Sequence, residues 1–233
     1  MAASDRVEQA ITLILQAILD KDFEINAPLP PETQLASWLN VARPTMREAV
    51  RTLADRGVLK VTHGVGTFVV DPSKWTDLSM IIWWNAHTCS AQELGIYLVE
   101  LRRMIEVGAC GLAAERRNED DLKALREALE DFDKAAEAGD MKAVATADLT
   151  FHHRIVRASK NPFLIAVMEP LEEALFTSRE DTTRIEDVRT RARQHHWAIF
   201  ECIKAGDSTA AKETMRSHMT QTRDDIMHHL NSD

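Results

Sequence analysis

Hydrophobic positions along the chain keep helical spacing to residue 57, turn β-prone from 58 to 70, and return to helical spacing from 91 onward. Val7, Ile11, Leu13, Ile14 and Ile18 form one apolar stripe, which predicts an amphipathic helix from about Ser4 to Asp20. Pro30 and Pro31 interrupt the pattern, and Pro31 sits where proline is tolerated, at the start of a helix carrying Leu35, Ala36 and Leu39. Asn40 supplies a turn. Val41-Ala42-Arg43-Pro44 then opens a further helix whose buried face is Met46, Val50 and Leu53, with Gly57 as its left-handed stop. The runs 58–61 and 67–70 flank His63-Gly64-Val65-Gly66, the pattern of a hairpin.

Asp71-Pro72-Ser73-Lys74 combines a turn former with a helix breaker and marks a hinge. The segment Trp75–Trp84 concentrates three tryptophans with Leu78, Met80, Ile81 and Ile82. So much apolar area is expected to lie against the second domain or to cover a partner. Beyond it the periodicity predicts helices over Ala91–Arg117, Glu119–Ala138, Met141–Ser159, Pro162–Thr177, Ile185–Ala205 and Ser208–Leu230, punctuated by Gly139-Asp140 and Gly206-Asp207. The expected fold is mainly α: an N-terminal winged helix-turn-helix with a small β-hairpin wing, then an all-α bundle of six or seven helices. The expected division is 1–71 for the head, 72–90 for the linker and first helix of the second domain, and 91–233 for the bundle.

Charge sharpens this picture. The chain carries a formal net charge of −9, which argues against non-specific coating of nucleic acid. Between Arg43 and Lys60, however, five basic residues face only Glu48 and Asp55. Arg43, Arg47 and Arg51 recur every fourth residue on the face opposite Met46 and Val50, with Thr45 beside them. A helix so built can aim guanidinium forks at guanine edges and phosphates. Such a face can also be merely solvated, and it is the attached glycine-tipped hairpin that turns the reading toward DNA.

Cys89, Cys110 and Cys202 are scattered, with no spacing for a disulfide framework or a thiolate metal site. The opening MAASDRVEQA lacks a basic start followed by a long apolar run, and no later run has membrane-spanning length. A cytoplasmic protein without a membrane partner is expected.

In the second domain, Asp148 and His152 stand one turn apart on one helical face. His196 shares a stripe with Ile199, Phe200 and Ile203, and His218 lies one turn beyond Met215. One carboxylate and three imidazoles from three helices suit a divalent metal, zinc first, with nickel or manganese as alternatives. Neighbours on a helix point about 100° apart, which favours His152 over His153 and His196 over His195. Satisfied core or surface histidines would give the same spacing. Arg102 is the candidate effector anchor, able to grip a carboxylate bidentately. An Arg102–Glu106 pair on a solvated face is the competing account.

The stretch LPPETQLASWLNVARPTMREAVRTLADRGVLKVTHGVGTFVV closely resembles the winged-helix head of GntR-family bacterial transcription regulators. The segments LRRMIEVGACGLAA, ADLTFHHRIVRASKNP, HHWAIFECIKAGD and AKETMRSHM resemble the helical effector-binding (FCD) domain of the FadR-type branch. The resemblance implies a homodimer on a palindromic double-stranded operator, repressing a catabolic operon until a small organic or sugar acid binds at the bundle's metal. It implies DNA contacts by Arg43, Thr45, Arg47, Arg51 and the wing glycine Gly66, metal ligation by Asp148, His152, His196 and His218, and effector contact by Arg102, with Arg103 its neighbour in doubt. Ala42 and Pro31 depart from the family's capping serines, each costing about 1 kcal/mol by the usual capping magnitudes. An enzyme is not expected. A metal-dependent hydrolase and a regulator with a purely structural metal are the rival readings.

Overall fold

The computed structural model describes residues 3–230, and the chain divides into two compact units, Met1–His87 and Thr88–Asp233.

The first unit holds α1 (Ala3–Leu19), α2 (Glu32–Trp38), α3 (Arg43–Asp55) and an antiparallel hairpin of β1 (Leu59–Thr62) and β2 (Gly66–Val69). Leu59 pairs with Val69 and Thr62 with Gly66, so the turn spans the glycine-bearing tip. The outer edge of β2 is paired too. Asn26 and Leu29 donate backbone N–H bonds to Val69 and Thr67, and Val69 donates back to Ala27. That third, strand-like segment has no alternating pattern to announce it, and it shields an edge that would otherwise present free backbone donors. Ile14, Leu35, Met46, Leu53 and Val58 are buried together as the unit's core. Asn40 takes a positive φ of 52° between α2 and α3, and Gly57 one of 75° after α3, where a residue without Cβ is at ease. Neither α2 nor α3 has a side-chain cap, since Pro31 and Ala42 occupy the cap positions.

α4 (Leu78–Thr88) carries the tryptophan-rich stretch, and here the structure departs from expectation. Trp75 and Met80 are buried in the head's own core, with Trp83 and Trp84 packed partly against it. Trp75 donates its indole N–H to the Val70 carbonyl at 3.0 Å and meets Trp84 edge-on. Part of the apolar area thus finds cover within the first unit, while Ile81, Ile82, Trp83 and Trp84 stay half-buried.

The second unit comprises α5 (Ala91–Arg116), α6 (Glu119–Ala138), α7 (Met141–Ala158), α8 (Pro162–Met168), α9 (Glu172–Thr183), α10 (Glu186–Ala205) and α11 (Ser208–His229). Capping boxes at Ser90/Glu93 and Asn118/Asp121 start α5 and α6, and Asp140 and Asp207 cap α7 and α11. Gly139 and Gly206 end α6 and α10 in the left-handed conformation. The region expected as one helix over Pro162–Thr177 is instead α8, a tighter turn at Glu169–Leu171, and α9 extending to Thr183. Pro170 cannot donate an N–H within a continuous helix, which breaks the run there. Phe151, Ile155, Ile199, Phe200, Ile203 and Met215 fill the bundle's centre. Among the described residues, no helix is long and apolar enough to cross a membrane.

Candidate DNA-reading face and buried histidine centre

Two sites emerge, one on each unit. On α3, Met46, Ala49, Val50 and Leu53 face the core, which turns Arg43, Arg47 and Arg51 to solvent. Arg47 Nε lies 3.3 Å from Glu32 Oε2, and Arg51 Nε lies 4.0 Å from Asp55; both arginine side chains are 73% exposed. Pairs so solvated are worth little and release their guanidinium groups readily to a stronger anion. Thr45 is half-buried beside them, and Gly66, with a φ of 150°, opens β2 at the wing tip.

In the bundle, His152 of α7, His196 of α10 and His218 of α11 are buried and converge. His218 Nε2 lies 3.2 Å from His196 Nε2 and 3.3 Å from His152 Nε2. His153, His195, His228 and His229 are less buried and lie outside this group. Asp148 Oδ1 stands 3.4 Å from His196 Nε2. Asp148 is also paired with Arg179 of α9, a buried arginine that sequence reasoning overlooked. Little in the sequence marks it, because α9 has one short apolar run, Ala174-Leu175-Phe176, followed by polar residues only, and so no helical stripe.

Glu106 of α5 is fully buried behind His152, with His152 Nδ1 2.6 Å from its Oε2, a short contact that lies off the ideal donor line. Arg102 donates from Nε to Glu106 Oε1 at 2.6 Å and from Nη2 to Oε2 at 3.4 Å. The pair foreseen between them is real, but it is buried rather than solvated. Burial alone would raise the Glu106 carboxyl; the Arg102 guanidinium and His152 override it and hold the group well below the usual carboxylate range. Burial pushes all three imidazoles down, His196 and His218 well below their ordinary value, so the rings are neutral.

Neutral rings in this arrangement suit a cation. His152 Nδ1–H faces Glu106, which leaves its Nε2 lone pair pointing at the other two rings. If His218 Nε2 carries a proton it can serve only one of its two neighbours well, and without protons three lone pairs oppose one another. The Nδ1 atoms of His196 and His218 have no partner among the described residues, and an unsatisfied buried donor costs roughly 1–3 kcal/mol. A divalent ion accepting all three Nε2 lone pairs would remove the opposition among them, though not the want of partners at those two Nδ1–H groups, and Asp148 supplies the anionic ligand within reach.

The same shifts set the response to acid. With the histidines' folded values below the ordinary 6.5, the unfolded chain binds more protons just below that pH, so stability falls as pH drops through it. Glu106 contributes stability above its ordinary 4.5, and that is lost in the same direction at lower pH. The thermal midpoint of chelator-treated protein is therefore expected to fall steadily from about pH 7 to about pH 5. A flat midpoint across that interval, by calorimetry, would show that the three rings are solvated.

Two small cavities flank the histidines. One, of about 190 Å³, is lined by Glu106, His152 and the apolar Leu149, Met168, Leu175 and Phe176, among others. The other, of about 50 Å³, is lined by Arg102, Asp148, Arg179, Arg189 and His218 with threonines and Gln221. Arg179 borders both.

Comparison with known proteins matches residues 6–69 to bacterial regulatory proteins of the gntR family, and residues 97–221, more than half of the chain, to the FCD domain. The chain belongs to the GntR family, in the FadR-type branch with an FCD domain. This GntR-family chain is 30% identical to an uncharacterized HTH-type transcriptional regulator of Mycobacterium tuberculosis over 92% of its own length and 87% of the relative's. It is 26% identical to the HTH-type transcriptional repressor NanR of Cronobacter sakazakii, covering 93% and 82% of the two chains. The solved structure of Streptococcus agalactiae GntR superposes with a TM-score of 0.55 at 28% identity, covering 94% of this chain and 99% of that one. The protein is a DNA-binding transcriptional regulator of the GntR/FCD type, and the family names regulators rather than enzymes.

Proposed function

We propose that this GntR-family regulator is a homodimeric repressor of a catabolic operon, released when a small organic acid binds at a metal centre in its helical domain. Residues 1–71 form the reading head, 72–90 the connection and 91–233 the sensor. In each head α3 enters a major groove of a palindromic operator, Arg43, Thr45, Arg47 and Arg51 contacting bases and phosphates and Gly66 letting the wing approach the backbone. A divalent metal, zinc by preference of its nitrogen ligands, is held by His152, His196, His218 and Asp148, and when bound it supplies Lewis-acid attraction for a carboxylate. Glu106 orients His152, and Arg102 in turn holds Glu106. Arg102 keeps Nη1 without a partner among the described residues, and it lines the smaller cavity, so it serves the effector as well.

The observation that carries the sensor reading is the convergence of three buried Nε2 atoms beside an arginine-lined cavity. A hydrolase would use the same metal ligands but needs a general base close by. Glu106, the candidate for that base, is already engaged by Arg102 and His152 and is held far below neutral pH, which makes it a poor proton acceptor. A release mechanism requires the effector to bind the DNA-competent and DNA-free states unequally. In a mobility-shift titration of zinc-loaded protein, a short carboxylate is expected to weaken operator binding about tenfold or more, an effect absent after chelator treatment. Equal operator affinity with and without every acid tried would refute ligand-controlled release.

A further inference from the structure

The arginines around the smaller cavity are not equivalent. Arg102 is matched by Glu106, Arg179 by Asp148, and Arg191 by Asp225, whose Oδ1 it reaches at 2.5 Å. Arg189 of α10 has no carboxylate partner among the described residues. Its Nη1 donates to the Thr183 carbonyl at 2.8 Å and touches Met141 Sδ at 3.4 Å, and Nε and Nη2 have no partner among the described residues. The two bonds to Thr183 and Met141 fix the guanidinium at the wall of the cavity while leaving its other edge available, the geometry of a pre-positioned anion receptor.

We infer that Arg189 is a second anion anchor, and that the effector is a short dicarboxylate with one carboxylate at the metal and the other on Arg189. The inference rests on the proposed metal centre. Three neutral imidazoles and Asp148, a carboxylate shared with Arg179, leave a divalent ion with a net positive charge, and among the described residues the carboxylates lining the cavity are each already assigned to an arginine. A monocarboxylate at the metal would leave the Arg189 charge unmatched in a site partly withdrawn from water, whereas a second carboxylate neutralises it through a charge-assisted bidentate contact. The larger cavity offers no comparable receptor, since the arginine on its wall, Arg179, is matched by Asp148, and Glu106 and Glu172 stand beside its apolar residues. Size points the same way. At about 50 Å³ the cavity is small, which favours a compact three- or four-carbon diacid over a longer sugar acid.

The test is calorimetric titration of the full-length, zinc-loaded protein with malonate, succinate and lactate at one ionic strength. Malonate or succinate is expected to bind about tenfold or more tighter than lactate. Arg189→Gln should remove that advantage while leaving lactate affinity and zinc stoichiometry unchanged, and Arg189→Lys should keep part of it, because the charge survives without the fork. Lactate binding as tightly as both diacids, or a diacid preference undiminished in Arg189→Gln, overturns the inference and leaves the metal-centred sensor standing. Should neither lactate nor the diacids bind zinc-loaded protein, the inference is overturned, and the sensor reading is decided separately by the operator titration with other acids. If Arg189→Gln does not fold, Arg189→Lys decides alone: an unaltered preference there, with the fork gone, counts against bidentate anchoring.

Discussion

Replacing His218 with alanine is expected to remove a divalent metal that the parent protein carries at near-stoichiometric level when purified without chelator. His218 Nε2 sits between the other two imidazole nitrogens, so its loss leaves two rings that no longer share a common neighbour. Metal affinity should fall by about a hundredfold or more, beyond the ten- to hundredfold typical of losing an outer partner. Glu106→Gln provides that comparison, since it keeps the three ligands while weakening the support of His152 and the charge match of buried Arg102. Metal bound well above its dissociation constant stabilises the folded state by about 2.7 kcal/mol at a hundredfold excess. For a domain of this size that corresponds to roughly 5–10 °C in thermal midpoint. Elemental analysis and melting with and without chelator check both expectations. Stoichiometric metal in His218→Ala would place the ion elsewhere; a metal-free parent that folds normally would make the three histidines a polar core.

Local pattern carried most of the fold. The periodicity of α5, α6, α7, α10 and α11 places their limits within a residue of those observed, because Asp140, Gly139, Gly206 and Asp207 are caps whose chemistry acts locally. The hairpin was equally readable from its glycine tip. What failed was tertiary. No local rule says that Trp75 and Met80 bury themselves in the head, because an apolar segment fits any uncovered face equally well. The break at Pro170 was visible as a proline, yet its consequence, a separate α9 that carries Arg179 to Asp148, depends on how the chain resumes.

The site shows the same division. That Asp148 and His152 share a face follows from helical geometry, and both are buried on α7. That His152, His196 and His218 meet at a point requires three helices to pack at particular angles, which spacing alone cannot supply. The partner of Arg102 was legible as an i, i+4 pair, but its burial was not. Burial changes its meaning, from a weak surface contact to a clamp that fixes the ionisation of Glu106. Arg189 gave no sign in the sequence, since its standing as the unmatched arginine emerges only once the others have found their carboxylates.

Arg47→Ala is expected to abolish operator binding under conditions where the parent binds fully, with zinc content and effector affinity unchanged. The side chain is 73% exposed and its contact with Glu32 is a solvated pair, so its removal should alter folding stability by no more than about 0.5 kcal/mol. Lost DNA binding would then be a lost contact rather than a lost fold. A bidentate arginine–guanine contact is worth about 1–3 kcal/mol, and a two-fold symmetric dimer loses it in both half-sites, which multiplies to a loss of roughly thirtyfold to twenty-thousandfold. Arg51→Ala makes the informative contrast. If Arg51 meets phosphate, its removal weakens specific and random duplexes alike and lowers the salt dependence, whereas Arg47→Ala costs more on the operator than on random DNA. Mobility-shift titrations of both variants on operator and scrambled duplex, at two salt concentrations, separate the roles. Operator affinity retained by Arg47→Ala would take this residue out of the reading set and shift base recognition toward Arg43 and Thr45 at the start of α3, where the uncapped turn at Ala42 leaves backbone N–H groups facing outward.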